Sequence, residues 1–200
     1  MLRSSFTGLQ YAVQVSGVGT SDAVTITQTD FTNIMWGVRV NDFDNININR
    51  NNIVIEDDGY SNWYASGVYL NNSTGFLVEE NDVSNIGLKT YTSGIQVINS
   101  GDADNRVYKN KLSNLTYGNQ ADRVNRKSDL NLHTGLQFLC NAYESNNIAI
   151  SVNYNLEKNG IRYYQGEFNP KTSAGNIFQN NTMDIVNNTD SHFNNSNSIC

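Results

Sequence analysis

Short runs of alternating apolar and polar residues recur along this chain, each ending in Asn and one further apolar residue. The clearest copies lead from Gly37-Val38-Arg39-Val40 to Ile46-Asn47-Ile48-Asn49-Arg50-Asn51-Asn52-Ile53, from Gly67-Val68-Tyr69-Leu70 to Phe76-Leu77-Val78-Glu79-Glu80-Asn81-Asp82-Val83, and from Gly94-Ile95-Gln96-Val97 to Val107-Tyr108-Lys109-Asn110-Lys111-Leu112. An earlier copy, ending Thr25-Ile26-Thr27-Gln28-Thr29-Asp30-Phe31, carries Thr29 in place of Asn. Two later ones, Leu136-Gln137-Phe138-Leu139-Cys140-Asn141-Ala142-Tyr143 and Ile177-Phe178-Gln179-Asn180-Asn181-Thr182-Met183, repeat the second half.

Period-2 alternation predicts strands with one buried face and excludes a helical solenoid. The copies start at intervals of roughly 25 to 41 residues, enough for a three-strand coil with loops of varying length. One coil cannot bury its inward face alone, so Val, Ile, Leu and Phe at equivalent positions must stack on those of neighbouring coils. The predicted fold is therefore all-β, a right-handed single-stranded parallel solenoid of about six to seven coils. Asn51, Asn81, Asn110, Asn141 and Asn181 are expected at one corner, forming an Asn ladder along the axis. Similar corners are expected at Asn33, Asn85 and Asn114, where Asn tolerates the left-handed conformation. Gly37, Gly67, Gly94 and Gly135 each open a strand, at a bend that a Cβ would crowd. Val78 should point inward, and Asn81→Ala should cost on the order of 1 kcal/mol through lost amide bonds. Residues 1–200 read as one domain, with clear coils over 8–185, a loop insertion over 116–134 and an irregular tail over 186–200.

The pattern resembles the right-handed parallel β-helix superfamily shared by pectate lyases, other polysaccharide lyases, polygalacturonases and phage tailspikes. Gly135-Leu136-Gln137-Phe138-Leu139-Cys140-Asn141 and Gln165-Gly166-Glu167-Phe168-Asn169-Pro170-Lys171-Thr172-Ser173-Ala174-Gly175-Asn176-Ile177-Phe178 look like segments of very large exported bacterial surface proteins with a C-terminal sorting domain. That likeness implies a fragment of a longer chain, adjoining further coils, and an extracellular or cell-surface location.

Composition changes this picture in one respect: about one residue in six is Asn while only 16% are charged, so amides rather than charges do much of the solvation. A net charge of -6 disfavours a nucleic-acid groove, which needs clustered Lys and Arg. No run approaches the roughly 18 apolar residues of a membrane span, so no membrane insertion is expected. Cys140 and Cys200 are too few for a disulfide framework; one bridge between them and a buried thiol at Cys140 are the two readings.

Catalytic chemistry is sparse. A lyase needs a Lys or Arg to take the α-proton and carboxylates to hold Ca²⁺ beside the uronate. Asp57, Asp58 and Arg123 are the candidates, and Ca²⁺ enters only under this alternative; no other cofactor or metal is expected. Asp57-Asp58-Gly59 invites comparison with polygalacturonases, but their Asn-Thr-Asp, His-Gly and Arg-Ile-Lys elements do not occur. His133 and His192 lack a nearby His or Cys partner and read as loop residues.

Two loops are candidate binding surfaces. Trp36, Tyr60, Trp63, Tyr64 and Tyr91 precede the strand-opening glycines, so their rings either stack along one edge and face sugar rings or cover a corner of the core. Arg123, Arg126 and Lys127 form the densest basic cluster, suited to an acidic glycan or simply solvated. The leading expectation is a non-catalytic structural or adhesive segment of an extracellular surface protein in contact with polysaccharide or cell-surface glycan. The alternative is a polysaccharide lyase or glycoside hydrolase whose site is incomplete or lies outside this stretch.

Overall fold

The computed structural model describes residues 3–17, 22–56, 64–87, 91–126, 133–153, 160–166 and 173–189. In chain order the strands are β1 (Ser4–Ser16), β2 (Val24–Thr27), β3 (Thr29–Asn41), β4 (Ile46–Asn49), β5 (Asn52–Ile55) and β6 (Ala65–Asn71). They continue with β7 (Leu77–Glu79), β8 (Asp82–Asn85), β9 (Thr92–Ile98), β10 (Arg106–Tyr108), β11 (Lys111–Ser113) and β12 (Tyr117–Asp122). The last are β13 (Gln137–Leu139), β14 (Ala142–Glu144), β15 (Ile148–Asn153), β16 (Ile177–Gln179) and β17 (Met183–Asn187).

Every strand pair is parallel, and strands adjacent in sequence never pair. One sheet of twelve strands follows the order β16-β14-β11-β8-β5-β3-β6-β9-β12-β15-β17, with β1 beside β3; a second of five runs β13-β10-β7-β4-β2. This corrects the expected single-stranded β-helix solenoid of six to seven coils. The large sheet is continuous and nearly closed, because β3 does not end at the corner expected at Asn33. Its thirteen residues run through that point, with Asn33 left-handed at φ 52° and a register shift between Thr32 and Ile34, so β3 pairs with β5 along one half and β6 along the other. The two arms of the sheet meet where β5 contacts β6, β8 contacts β9 and β11 contacts β12.

The core lies between the arms and the five-stranded sheet. Ile48, Val78, Val107 and Phe138 align across the smaller sheet and are fully buried. Val38, Val68, Ile95 and Ile150 do so in one arm, and Phe31, Ile53, Val83 and Leu112 in the other. Each such side chain removed from water contributes about 1.5–3 kcal/mol. The alternation therefore located the inward residues correctly, Val78 among them.

The Asn ladder is present with one change of member. The Asn51 amide nitrogen donates to Asn81 Oδ1 at 3.0 Å, Asn81 to Asn110 at 3.0 Å, and Asn110 to Asn141 at 3.0 Å. Asn141 then donates to Asn176 Oδ1, not to Asn181. Asn181 belongs to a second corner, accepting from the Asn146 amide at 3.1 Å. The ladder asparagines are not themselves left-handed. The residue before each one is: Arg50, Glu80, Lys109 and Cys140 have φ of 55°, 53°, 54° and 56°. That twist turns the following Asn inward, where its Oδ1 also accepts a backbone N–H of the rung below.

Glycine has a specific task where the arms come closest. A Cβ on Gly37 would sit 2.5 Å from the Gly67 carbonyl oxygen and 3.0 Å from Ile53; one on Gly94 would sit 2.6 Å from the Gly118 oxygen and 2.7 Å from Leu112. Gly67 and Gly118 repeat the arrangement against Val83 and Tyr143. Gly118, not Gly135, is therefore the fourth rung, and the stretch expected as a loop insertion over 116–134 contains β12. Gly135 stands in the turn before β13 with φ 106°.

Beside Gly118 the hydroxyl of the fully buried Tyr143 accepts from the Asn119 amide at 2.6 Å, and burial raises the phenol pKa from 10.0. The neutral phenol is the form that the fold favours. Stability is thus fully present below the unfolded value near 10 and falls as pH rises above it. Urea denaturation from about pH 9 to about pH 11 should show a falling midpoint, and Tyr143→Phe should flatten that fall.

Candidate functional site

The outer face of the arm formed by β1, β3, β6, β9, β12 and β15 collects the rings and polar side chains. Arg39, Tyr69, Gln96 and Gln120 share one register column, each two residues after a glycine of the inner stack. Asn41, Asn71, Ile98, Asp122 and Asn153 form the next.

Trp36 lies at the centre. Its ring stacks on Tyr11 at 6.2 Å with an interplanar angle of 10°, meets Tyr69 edge-on at 5.2 Å and tilts against Tyr64 at 6.1 Å. The Arg39 guanidinium carbon stands 5.5 Å from the Tyr11 ring centroid and 5.7 Å from those of Trp36 and Tyr69. Such cation–π contacts hold rings and cation in one orientation. The Tyr64 hydroxyl bonds to Ser93 and Gln120, and burial pushes its pKa upward.

Past the rings, Asp122 accepts from Gln96 Nε2 at 2.8 Å, Asn153 Nδ2 at 2.7 Å and Gln120 Nε2 at 3.4 Å. Tyr69 joins the two groups. Burial raises its pKa, the positive charges of Arg39 and Arg123 pull it down, and Asp122 pushes it up. Rings, two guanidinium groups and an amide-tied carboxylate thus share one face.

Of the candidates read from the sequence, Trp36, Tyr64 and Arg123 come together here. Tyr91 is 60% exposed and stands outside the ring stack. Arg126 is fully buried with its guanidinium 5.6 Å from the Tyr163 ring, which corrects its assignment as a solvent-facing contact. The basic cluster is thereby split, since Arg123 is exposed. Asp57, Asp58, Tyr60, Trp63 and Lys127 lie outside the described residues. His133 packs against Tyr164 at 5.9 Å. Among the described residues no group of three His, Cys, Asp or Glu could hold a metal ion, and no helix is long and apolar enough to cross a membrane. A cavity of 390 Å³ lies on the other arm, against β11, β14 and β16, and does not join the ring cluster.

Sequence reading missed Tyr11, Arg39, Tyr69, Gln96, Gln120 and Asp122. For four of them a signal was there: the second residue after Gly37, Gly67, Gly94 and Gly118, namely Arg39, Tyr69, Gln96 and Gln120, is large and polar or aromatic in every copy.

Fold and site together define an all-β, parallel-strand protein with an aromatic and polar outer face. No protein-family model, curated protein or solved structure matches the chain.

Proposed function

We propose that the protein is a structural and adhesive segment of an extracellular bacterial surface protein, and that it holds glycan on the face built around Trp36. The observation that carries this reading is the cluster of Tyr11, Trp36 and Tyr69 ordered by Arg39, beside the amide row of Gln96 and Gln120. Ring faces offer apolar area to a sugar ring and the guanidinium groups answer its hydroxyls, while the buried Gln96 and Gln120 hold Asp122 and Tyr64 in place beneath them. Cys140 is disulfide-bonded, which fits an oxidising, exported setting. The resemblance of the segments around Cys140 and Asn176 to exported surface proteins agrees with that setting. Both oxygens of Asp122 accept amide donors, which ties it into the polar row beside the rings.

Titration calorimetry with a panel of neutral and acidic polysaccharides tests the proposal. Wild-type protein should bind at least one, and Trp36→Ala should weaken that binding about tenfold or more with the circular dichroism spectrum retained. A panel that the wild type ignores, or a Trp36→Ala protein that binds as well as the parent, would sink it.

A further inference from the structure

The outer face around Trp36 carries a charge imbalance that its own residues leave standing. Its carboxylates are answered by amides: Asp122 takes Gln96 Nε2 and Asn153 Nδ2 on its two oxygens, and at the rim Asp42 Oδ1 accepts the Asn72 amide at 3.0 Å. Its guanidinium groups are not answered by carboxylates. Among the described residues neither Arg39 nor Arg123 forms an ion pair, whereas Arg3 and Arg50 stand 2.9 and 2.7 Å from Asp30 and Glu80. Arg39 Nε is buried and has no hydrogen-bond partner among the described residues; the rings of Tyr11, Trp36 and Tyr69 hold the guanidinium instead.

The two cations flank one ring. Arg39 lies directly across the sheet from Tyr69, and Gln96 and Gln120 continue that column to β12, which Arg123 follows. Arg39 and Arg123 are therefore three strands apart, about 14 Å along the stack at about 4.8 Å per strand. Tyr69 stands between them, and its phenol feels both positive charges. Arg39 is half-buried and Arg123 exposed, so both are reached from water. Their separation asks for an elongated ligand.

We propose that the ligand of this face is an acidic glycan laid across Tyr69 along the strand stack, its carboxylates or sulfate esters met by Arg39 on one side and Arg123 on the other. This rests on the reading of the Trp36 face as a glycan-binding surface and adds the class of glycan. A guanidinium group makes its strongest hydrogen bonds to such oxyanions, often two at once, and a neutral hydroxyl does not replace that charge. Tyr11 and Trp36 offer ring area that a neutral sugar uses equally well, so the two arginines are the residues that select for acid. The selection is local, because the chain as a whole carries a net charge of -6, which repels polyanions.

Titration calorimetry with matched probes tests this: glucuronate oligomers against glucose oligomers of the same linkage and length, and dextran sulfate against dextran. At low salt at least one acidic probe should bind about tenfold or more tighter than its neutral counterpart, and raising NaCl from about 50 mM to about 500 mM should shrink the difference. The larger of the two preferences names the acid group. Arg123→Gln, at an exposed position, should cut the preference about fivefold or more, and Arg123→Glu should abolish it. Arg39→Gln should act in the same direction, with circular dichroism reporting the fold. Lys111→Gln removes the same charge from an exposed position on the other arm and should leave the preference as it is in the wild type. Acidic and neutral probes bound alike overturn the inference, as does a preference that the Arg123 variants leave intact or that Lys111→Gln lowers as much; binding that Trp36→Ala still weakens would then keep the glycan reading. A protein that binds none of these probes overturns the inference too, and the wider panel decides the glycan reading by itself.

Discussion

Val78→Asp is expected to unfold the protein, while Leu77→Asp, one residue away, should leave it folded. Val78 has no exposed surface and sits between Ile48 and Val107 in the smaller sheet. A carboxylate there would be desolvated without a cation or donor in reach, at a cost of about 4 kcal/mol or more. That is comparable to the whole stability of many domains, about 5–15 kcal/mol. Leu77 points to the other face and is half-buried, so the same charge keeps much of its hydration and should cost about 1 kcal/mol or less. Far-UV circular dichroism and urea titration of the pair read the register directly. Equal effects at the two positions would mean that the alternation does not separate inside from outside here.

The second large effect is expected from Asn81→Ala, and the structure raises it above the on-the-order-of 1 kcal/mol that lost amide bonds alone suggest. Asn81 is 1% exposed and takes part in four bonds through its side chain. Its Oδ1 accepts the Asn51 backbone N–H and the Asn51 amide, each at 3.0 Å, while its Nδ2 donates to Ile48 O at 2.9 Å and to Asn110 Oδ1 at 3.0 Å. Removing it strands a buried backbone N–H and a buried carbonyl, and each orphan costs about 1–3 kcal/mol. A loss of about 3–5 kcal/mol in urea denaturation is the expected result. Asn81→Asp restores the acceptor but not the donor, and should recover only part of it. A loss below about 1 kcal/mol for Asn81→Ala would show that water replaces the ladder bonds at little cost.

What the chain discloses and what it hides follow from how local each feature is. Inward residues such as Ile48 and Val78 are legible because alternation is a nearest-neighbour property. The ladder at Asn51, Asn81, Asn110 and Asn141 is legible for the same reason, since each Asn follows its strand directly. Asn181 was misplaced because two corners share one local signature, a short strand, a left-handed residue and Asn; only the pairing of β16 with β14 shows which corner it occupies. The continuity of the large sheet was hidden at Asn33, which takes the expected left-handed conformation, φ 52°, while β3 runs on through it. The outer face was hardest to read. Tyr11, Trp36, Arg39 and Tyr69 come from three strands and meet only once register is known. Gly118 escaped notice because Asn119, a polar residue in an otherwise apolar column, obscures the repeat there until its bond to Tyr143 is seen.

The ladder has a consequence for how the protein meets acid. Side-chain amides neither gain nor lose protons, and the buried polar residues among those described are Ser, Thr, Asn, Gln and two Arg, with no carboxylate or imidazole. Acid unfolds proteins chiefly by protonating native carboxylates that are paired or by charging buried histidines. Here the polar interior carries neither lever. Its axial bonding is indifferent to proton concentration, so the stack should keep its shape across a wide acid range.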